Sequence, residues 1–118
     1  MILDSIIAEA LKRGASDIHI SVGRAVTFRI NGELVSFDQK SLLPENTEAI
    51  SREITSEDQR KTIEKLGGVD FGFSFKDSAR VRVSCFKGKG NYGVVLRLLP
   101  NRNFSFEEIG LSEKAIQL

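Results

Sequence analysis

Asn31-Gly32 splits the run AVTFRINGELVSF (residues 25–37) into two arms in which apolar and polar residues alternate. A two-residue type I′ turn needs positive φ at both central positions, and Asn-Gly is the pair that most readily supplies it. That turn sets a register. With Ile30 opposite Glu33, Phe28 meets Val35 and Val26 meets Phe37, so all four apolar side chains fall on one face. The chain therefore contains an antiparallel sheet with one face to bury, and the remaining segments must cover it.

Those segments are legible by their period. In residues 2–13, Ile2, Leu3, Ile6, Ile7, Ala10 and Leu11 recur at helical spacing, and Gly14 suits the C-terminal cap. The period then drops to 2 in SDIHISV (16–22), where Ile18, Ile20 and Val22 alternate with Asp17, His19 and Ser21. LPENTEAISREIT (43–55) predicts a helix with Pro44 in its first turn. A second helix follows Thr55 or Ser56, since Ser56 and Gln59 have capping-box spacing; Ile63 and Leu66 are its expected inner residues, and Gly67-Gly68 ends it. Both helices are thinly apolar and are expected on the surface. VDFGFSF (69–75) alternates Val69, Phe71, Phe73 and Phe75 with small or polar residues and reads as a half-buried strand. KDSA turns the chain into a last hairpin, RVRVSCFKGKGNYGVVLRLL (80–99). The order α-β-β-β-α-α-β-β-β defines an α+β fold, an antiparallel sheet with helices packed on one face. Residues 1–100 are expected to form the domain. Residues 101–118 read as a connector, with Ser105 and Glu108 at capping-box spacing before Ile109 and Leu111.

Size and charge narrow the function classes. A chain of 118 residues buries roughly 65% of its unfolded surface, enough for a core without cross-links. It has one cysteine, Cys85, which excludes an internal disulfide and a cysteine metal cluster. A net charge of +1 gives no bulk attraction to nucleic acid or membrane. The opening MILDSIIAEALKRG lacks a basic leader and is broken by Asp4, Glu9 and Lys12, unlike a signal peptide. No apolar run approaches the roughly 20 residues of a membrane span.

The last hairpin carries a conflict. If its turn centres on Lys89-Gly90 and its apolar residues face the core, Val81 lies opposite Leu98 and Val83 opposite Leu96. The same register sets Arg82 opposite Arg97 on the other face, with Arg80 nearby. Like charges directly opposite on a sheet destabilise it. One reading is three solvated arginines shielding the outer face. The other is an anion bound between guanidinium forks, whose planar donors match phosphate oxygens. The chain has no P-loop pattern ending in Gly-Lys-Ser or Gly-Lys-Thr. GKGNYG (88–93) sits at a hairpin tip and opens no helix. Any phosphate met by these arginines is therefore held by another domain.

GASDIHIS, FRINGELV, DQRKTIEKLGGVDFGFSF, RVRVSCF, GVVLRLLP and FSFEEIGL occur here in one order. In that order the chain resembles the N-terminal domain of the twitching-motility, pilus-retraction ATPases (PilT-like), within the type II/IV secretion superfamily of hexameric motor ATPases. The resemblance covers essentially all 118 residues. It implies a PAS-like domain that packs on ATPase domains of the same and neighbouring subunits in a homohexamer. It implies a cytoplasmic machine at the inner-membrane base of the pilus, with an inner-membrane platform protein as partner and no nucleic acid. It also implies ATP and Mg in the parent protein, and two arginines that contact the ATP γ-phosphate. These correspond to Arg82 and Arg97, with Arg80 a weaker candidate. The chain stops at Leu118, before the family's Walker A motif, acidic box and histidine box, and so reads as an N-terminal domain with its linker. Such a piece has no catalytic residue, cofactor or metal of its own and is not expected to hydrolyse ATP. The alternatives are a free-standing PAS-like sensor or adaptor, or the equivalent domain of a pilus-assembly or type II secretion ATPase.

Other residues carry plainer expectations. His19 reads as structural, hydrogen-bonded to Asp17 or a backbone group, since further ligands for a metal are not evident. Cys85 reads as a small buried apolar residue. Phe71, Phe73 and Phe75 read as core before ligand pocket, and Lys87 and Lys89 as solvated at the hairpin tip. Asp17, Glu33 and Asp70 read as ordinary strand-face or turn acids.

Overall fold

A computed structural model describes residues 2–101 of the chain, without the side chain of Ile2. Helix α1 (Ile2–Lys12) forms where the 3.6 spacing predicts it, and buries Leu3, Ile6, Ile7, Ala10 and Leu11. Strands β1 (Asp17–Ile20), β2 (Thr27–Ile30) and β3 (Glu33–Ser36) follow, then helices α2 (Pro44–Ile54) and α3 (Glu57–Leu66). Strands β4 (Gly68–Phe75), β5 (Ala79–Gly88) and β6 (Asn91–Pro100) complete the described chain. The capping-box pair Ser105 and Glu108 lies outside the described residues.

The strands form one sheet in the order β3-β2-β1-β6-β5-β4, antiparallel throughout. The architecture is the expected α+β. Both predicted hairpins have the predicted register: Phe28 faces Val35, Ile30 faces Glu33, Val81 faces Leu98 and Val83 faces Leu96. Both turns are left-handed at their two central residues, Asn31 (φ 52) with Gly32 (φ 81), and Lys89 (φ 54) with Gly90 (φ 81). The first hairpin is short. Val26 and Phe37 lie past its ladder but stay joined, the Phe37 amide donating to the Val26 carbonyl at 2.7 Å. Pairing of β1 with β6 then joins the two ends of the chain, so the sheet closes only through a contact about 80 residues apart in sequence.

The helices lie on one face. There Ile18, Ile20, Phe28, Val81, Val83, Cys85, Val94, Leu96 and Leu98 are buried together with the inner residues of α1. Full burial of one such large side chain stabilises the fold by roughly 1.5–3 kcal/mol. Helix α2 reaches deeper than its thin apolar pattern predicts. It turns Thr47, Ser51 and Thr55 to the interior beside Ile50. The two threonines satisfy their hydroxyls locally: Thr47 Oγ1 donates to the Pro44 carbonyl at 3.1 Å and Thr55 Oγ1 to the Ser51 carbonyl at 2.6 Å, whereas Ser51 Oγ is buried without a hydrogen-bond partner. The helix can then approach β6 closely without bulky apolar residues. Helix α3 starts on the predicted capping box at Ser56 and Gln59 and ends on left-handed Gly67.

Two expectations about the core are corrected. Leu66 is 74% exposed, because it is the last residue of α3 and Gly67 turns the chain away into edge strand β4. Val35 shares the inner face with Phe28 but is itself exposed, because β3 is the opposite edge and every residue of it is exposed. The phenylalanine stripe grades from half-buried Phe71 and Phe73 to buried Phe75, all packed on the core.

Candidate functional site

Strand register assembles the site on the open face of the sheet. Arg82 of β5 pairs directly with Arg97 of β6, as the hairpin pattern predicts. Arg97 in turn pairs with Asp17 of β1, and Asp17 with Arg29 of β2. At the other end Arg82 pairs with Gly72 of β4. A row Arg29–Asp17–Arg97–Arg82–Gly72 therefore crosses five strands. Beside it Asp17, Asp70, Arg82, Ser84, Val95 and Arg97 line a shallow recess of about 240 Å³.

One carboxylate serves two guanidinia. Asp17 Oδ1 lies 3.8 Å from Arg97 Nε and Oδ2 lies 3.9 Å from Arg29 Nε. Ser16 Oγ donates to Oδ2 at 2.6 Å and holds the carboxylate in place. Among the described residues, Arg82 has no ion pair. The third candidate, Arg80, leans away from the pair: its Nη1 donates to Ser74 Oγ at 3.4 Å. The structure thus brings Arg82 and Arg97 together and leaves Arg80 to the next rung.

Asp17 and Arg29 are the members of this row that pattern reading misses. Each sits in a motif visible in the sequence, but their meeting with Arg97 depends on β1 joining β6, which no local turn signals. His19, two residues on, does not bond Asp17; its Nε2 is buried without a hydrogen-bond partner. Among the described residues, no group of three or more His, Cys, Asp or Glu side chains gathers as a metal site would require. Cys85 is buried, and burial pushes its thiol pKa up, partly opposed by the Ser51 hydroxyl. It is poorly suited to act as a nucleophile.

A larger groove of about 590 Å³ lies between α2, α3 and the tip of the last hairpin. Three of its five cations are matched by acids on the spot. Lys87 Nζ meets Glu64 at 3.0 Å, Arg52 meets Glu48 at 3.3 Å and Lys61 meets Glu57 at 3.7 Å. Arg60 Nη1 donates to the Thr55 carbonyl at 2.6 Å, at the end of α2. Lys87 is therefore not simply solvated: it also sits 5.2 Å from the Tyr92 ring centroid, and the bond to Glu64 raises its pKa. Volume favours this groove as a binding site, but among the described residues Lys65 is its one cation without an ion pair or hydrogen bond, and it faces no second free cation across a strand pair. The arginine row is the stronger candidate.

Comparison with known proteins agrees with the fold. A scan against protein-family models matches none. The chain is 31% identical over 113 residues to the type IV pilus retraction ATPase PilT of Pseudomonas aeruginosa, a match spanning 96% of this chain and 33% of that protein. It is 28% identical over 103 residues to the type IV pilus ATPase PilU of the same organism, spanning 87% of this chain and 27% of that protein. A crystal structure of the pilus retraction motor PilT with bound ADP superposes with a TM-score of 0.76 at 34% identity, covering 96% of this chain and 33% of that one. The Legionella pneumophila ATPase DotB shares the fold at 18% identity and a TM-score of 0.69, over 98% of this chain and 33% of its own. The chain is thus a relative of the N-terminal domains of the secretion ATPase superfamily. Within that superfamily its similarity runs along nearly its whole length to the N-terminal region of PilT. It spans about a third of the length of the curated relatives that it matches.

Proposed function

We propose that this chain is the N-terminal domain of a hexameric pilus-retraction motor ATPase and supplies Arg82 and Arg97 to the γ-phosphate of an ATP held by an ATPase domain. The observation that carries this reading is the cross-strand pair itself. Two guanidinia are set side by side on an exposed face at an electrostatic cost, and one of them has no acid of its own among the described residues. A phosphoryl group removes that cost by accepting from both. During phosphoryl transfer the same donors offset charge that develops on the transferred group.

The residues present fit the phosphoryl end of a nucleotide and nothing more of it. ATP and Mg are accordingly held by the ATPase half of the parent protein, and this chain's part is to place two donors at its terminal oxygens. Residues 1–100 form the PAS-like domain in this reading, and 101–118 lead into the ATPase domain. The partners are ATPase domains of the same and neighbouring subunits, with the platform protein of a pilus machine at the inner-membrane base on the cytoplasmic side. Among the described residues, no helix is long and apolar enough to cross a membrane.

The test is turnover by the full-length protein. Arg82→Ala and Arg97→Ala should each lower the ATPase rate by about 10³-fold, the loss seen when an arginine finger is removed. The circular dichroism of the 118-residue chain should not change. Unaltered turnover in both variants would sink the proposal. A second reading, a PAS-like sensor, draws on a recess of about 270 Å³ between α1, α2 and the 37–42 loop, lined by Ile6, Val26, Phe37, Leu42 and Ile50. A small apolar ligand bound there by a protein indifferent to both arginine variants would favour it.

A further inference from the structure

The row of charges is not symmetric, and its asymmetry follows from Asp17. The aspartate side chain is only 15% exposed, whereas that of Arg97 is 71% exposed. The carboxylate is thus a fixed point and the guanidinium is the part able to move. Its two oxygens are divided: Oδ2 takes the Ser16 hydroxyl and faces Arg29, which leaves Oδ1 toward Arg97. The approach to Arg97 is at Nε, the inner nitrogen, at 3.8 Å, an ion pair rather than a hydrogen bond. A carboxylate on that side attracts the inner edge of the guanidinium, and among the described residues neither Nη group is in an ion pair. Arg29 differs, since its Nη1 is already engaged by the Gly32 carbonyl at 3.1 Å. Across the row, Arg82 faces Gly72, which has no side chain to steer it.

We infer that Asp17 is a positioning residue for Arg97: its charge draws the Nε edge of the guanidinium inward and turns the outer fork to phosphoryl oxygens, while Arg82 approaches the same anion unrestrained. This rests on the reading in which the pair meets a phosphate. Asp17 does not touch the anion. Its charge is shared between Arg29 and Arg97, so the row keeps a positive balance toward an incoming phosphate. A restrained donor loses less side-chain freedom on binding and is in place before charge develops. The two arginines therefore act in distinct ways, one set in advance and one recruited.

The experiment follows the arginine Nε–Hε resonances of the 118-residue chain by NMR, then turnover of the full-length protein. In the wild-type chain the Arg97 and Arg29 signals should be dispersed and slow to exchange, and that of Arg82 averaged. Asp17→Asn keeps an oxygen for Ser16 Oγ but loses the charge, and should move both signals to the averaged position without disturbing backbone amides. In the full-length protein it should lower kcat about tenfold with KM little changed, the mark of a misplaced group. Asp17→Glu, which restores the charge, should recover part of the loss. Should Asp17→Asn perturb the fold, Ser16→Ala is the second variant, and it should broaden the same two signals. An Arg97 signal indifferent to both variants overturns the inference. So does an unchanged kcat in Asp17→Asn where Arg97→Ala is crippled, an outcome that leaves the phosphate reading intact. If Arg97→Ala itself turns over normally, the phosphate reading falls and takes this inference with it.

Discussion

The molecule carries two clusters of cations that are built in opposite ways. In the groove beside α2 and α3, Arg52, Lys61 and Lys87 each have an acid of their own and Arg60 is bonded to the end of α2, so most of its cations are already engaged. In the row across the open face, a single carboxylate stands between two arginines and a third is left over. The groove is larger and holds more charged residues, yet the row is where an anion gains most. Exposed pairs that are already made contribute little and offer little. Two like charges whose roots are fixed at strand spacing stay close neighbours, so they reward whatever neutralises them. The number of charges in a cleft is a poor guide to binding; how they are paired is a better one.

The sharpest way to break this contrast is to give the row the acid that it lacks. Arg82→Glu should abolish the contribution of the pair to ATP turnover, a loss of about 10³-fold or more in the full-length protein. The same change should stabilise the 118-residue chain by about 0.2–1 kcal/mol in a urea melt, because opposite charges now face each other across β5 and β6. A variant that loses both activity and stability would mean that the arginines were never in conflict. Smaller effects test the turns. Lys89 occupies a left-handed position that Asn31 fills in the other hairpin. Lys89→Asn should therefore raise stability by about 0.5–1 kcal/mol without touching turnover, as read by the same melt.

The smallest effect belongs to the groove. The bond to Glu64 raises the Lys87 pKa above the ordinary 10.5. A lysine whose pKa rises on folding contributes its stability in full below the unfolded value and loses it as pH climbs through the folded one. The stability difference between wild type and Lys87→Met should thus stay constant up to the ordinary lysine pKa and shrink above it. Turnover should be unaffected. A difference that grows in alkali would mean that Lys87 is stabilised by something other than the charge of Glu64.

Local chemistry made much of this molecule legible in its sequence. Asn31-Gly32 and Lys89-Gly90 each dictate a turn, each turn dictates a register, and the second register alone puts Arg82 beside Arg97. Ser56 and Gln59 mark a helix start for the same reason, since the groups that bond are three residues apart. What stays hidden is non-local. Asp17 reads as a routine strand acid until β1 lies against β6. The depth of α2 is hidden too, because Thr47, Ser51 and Thr55 look polar in a pattern, yet all three are buried and the two threonines bond along the helix. Leu66 misleads in the other direction, apolar and correctly spaced but one turn beyond the sheet's cover.

Strands β5 and β6 lie inside the sheet, each flanked on both sides, and run side by side for ten rungs. The backbones beneath Arg82 and Arg97 consequently have no hinge between them. Neither root can advance or retreat without the other unless the middle of the sheet is torn. Any tilt of this domain therefore moves the roots of Arg82 and Arg97 as one body. If the pair meets a phosphate as proposed, only the side chains beyond these roots are left to adjust to it.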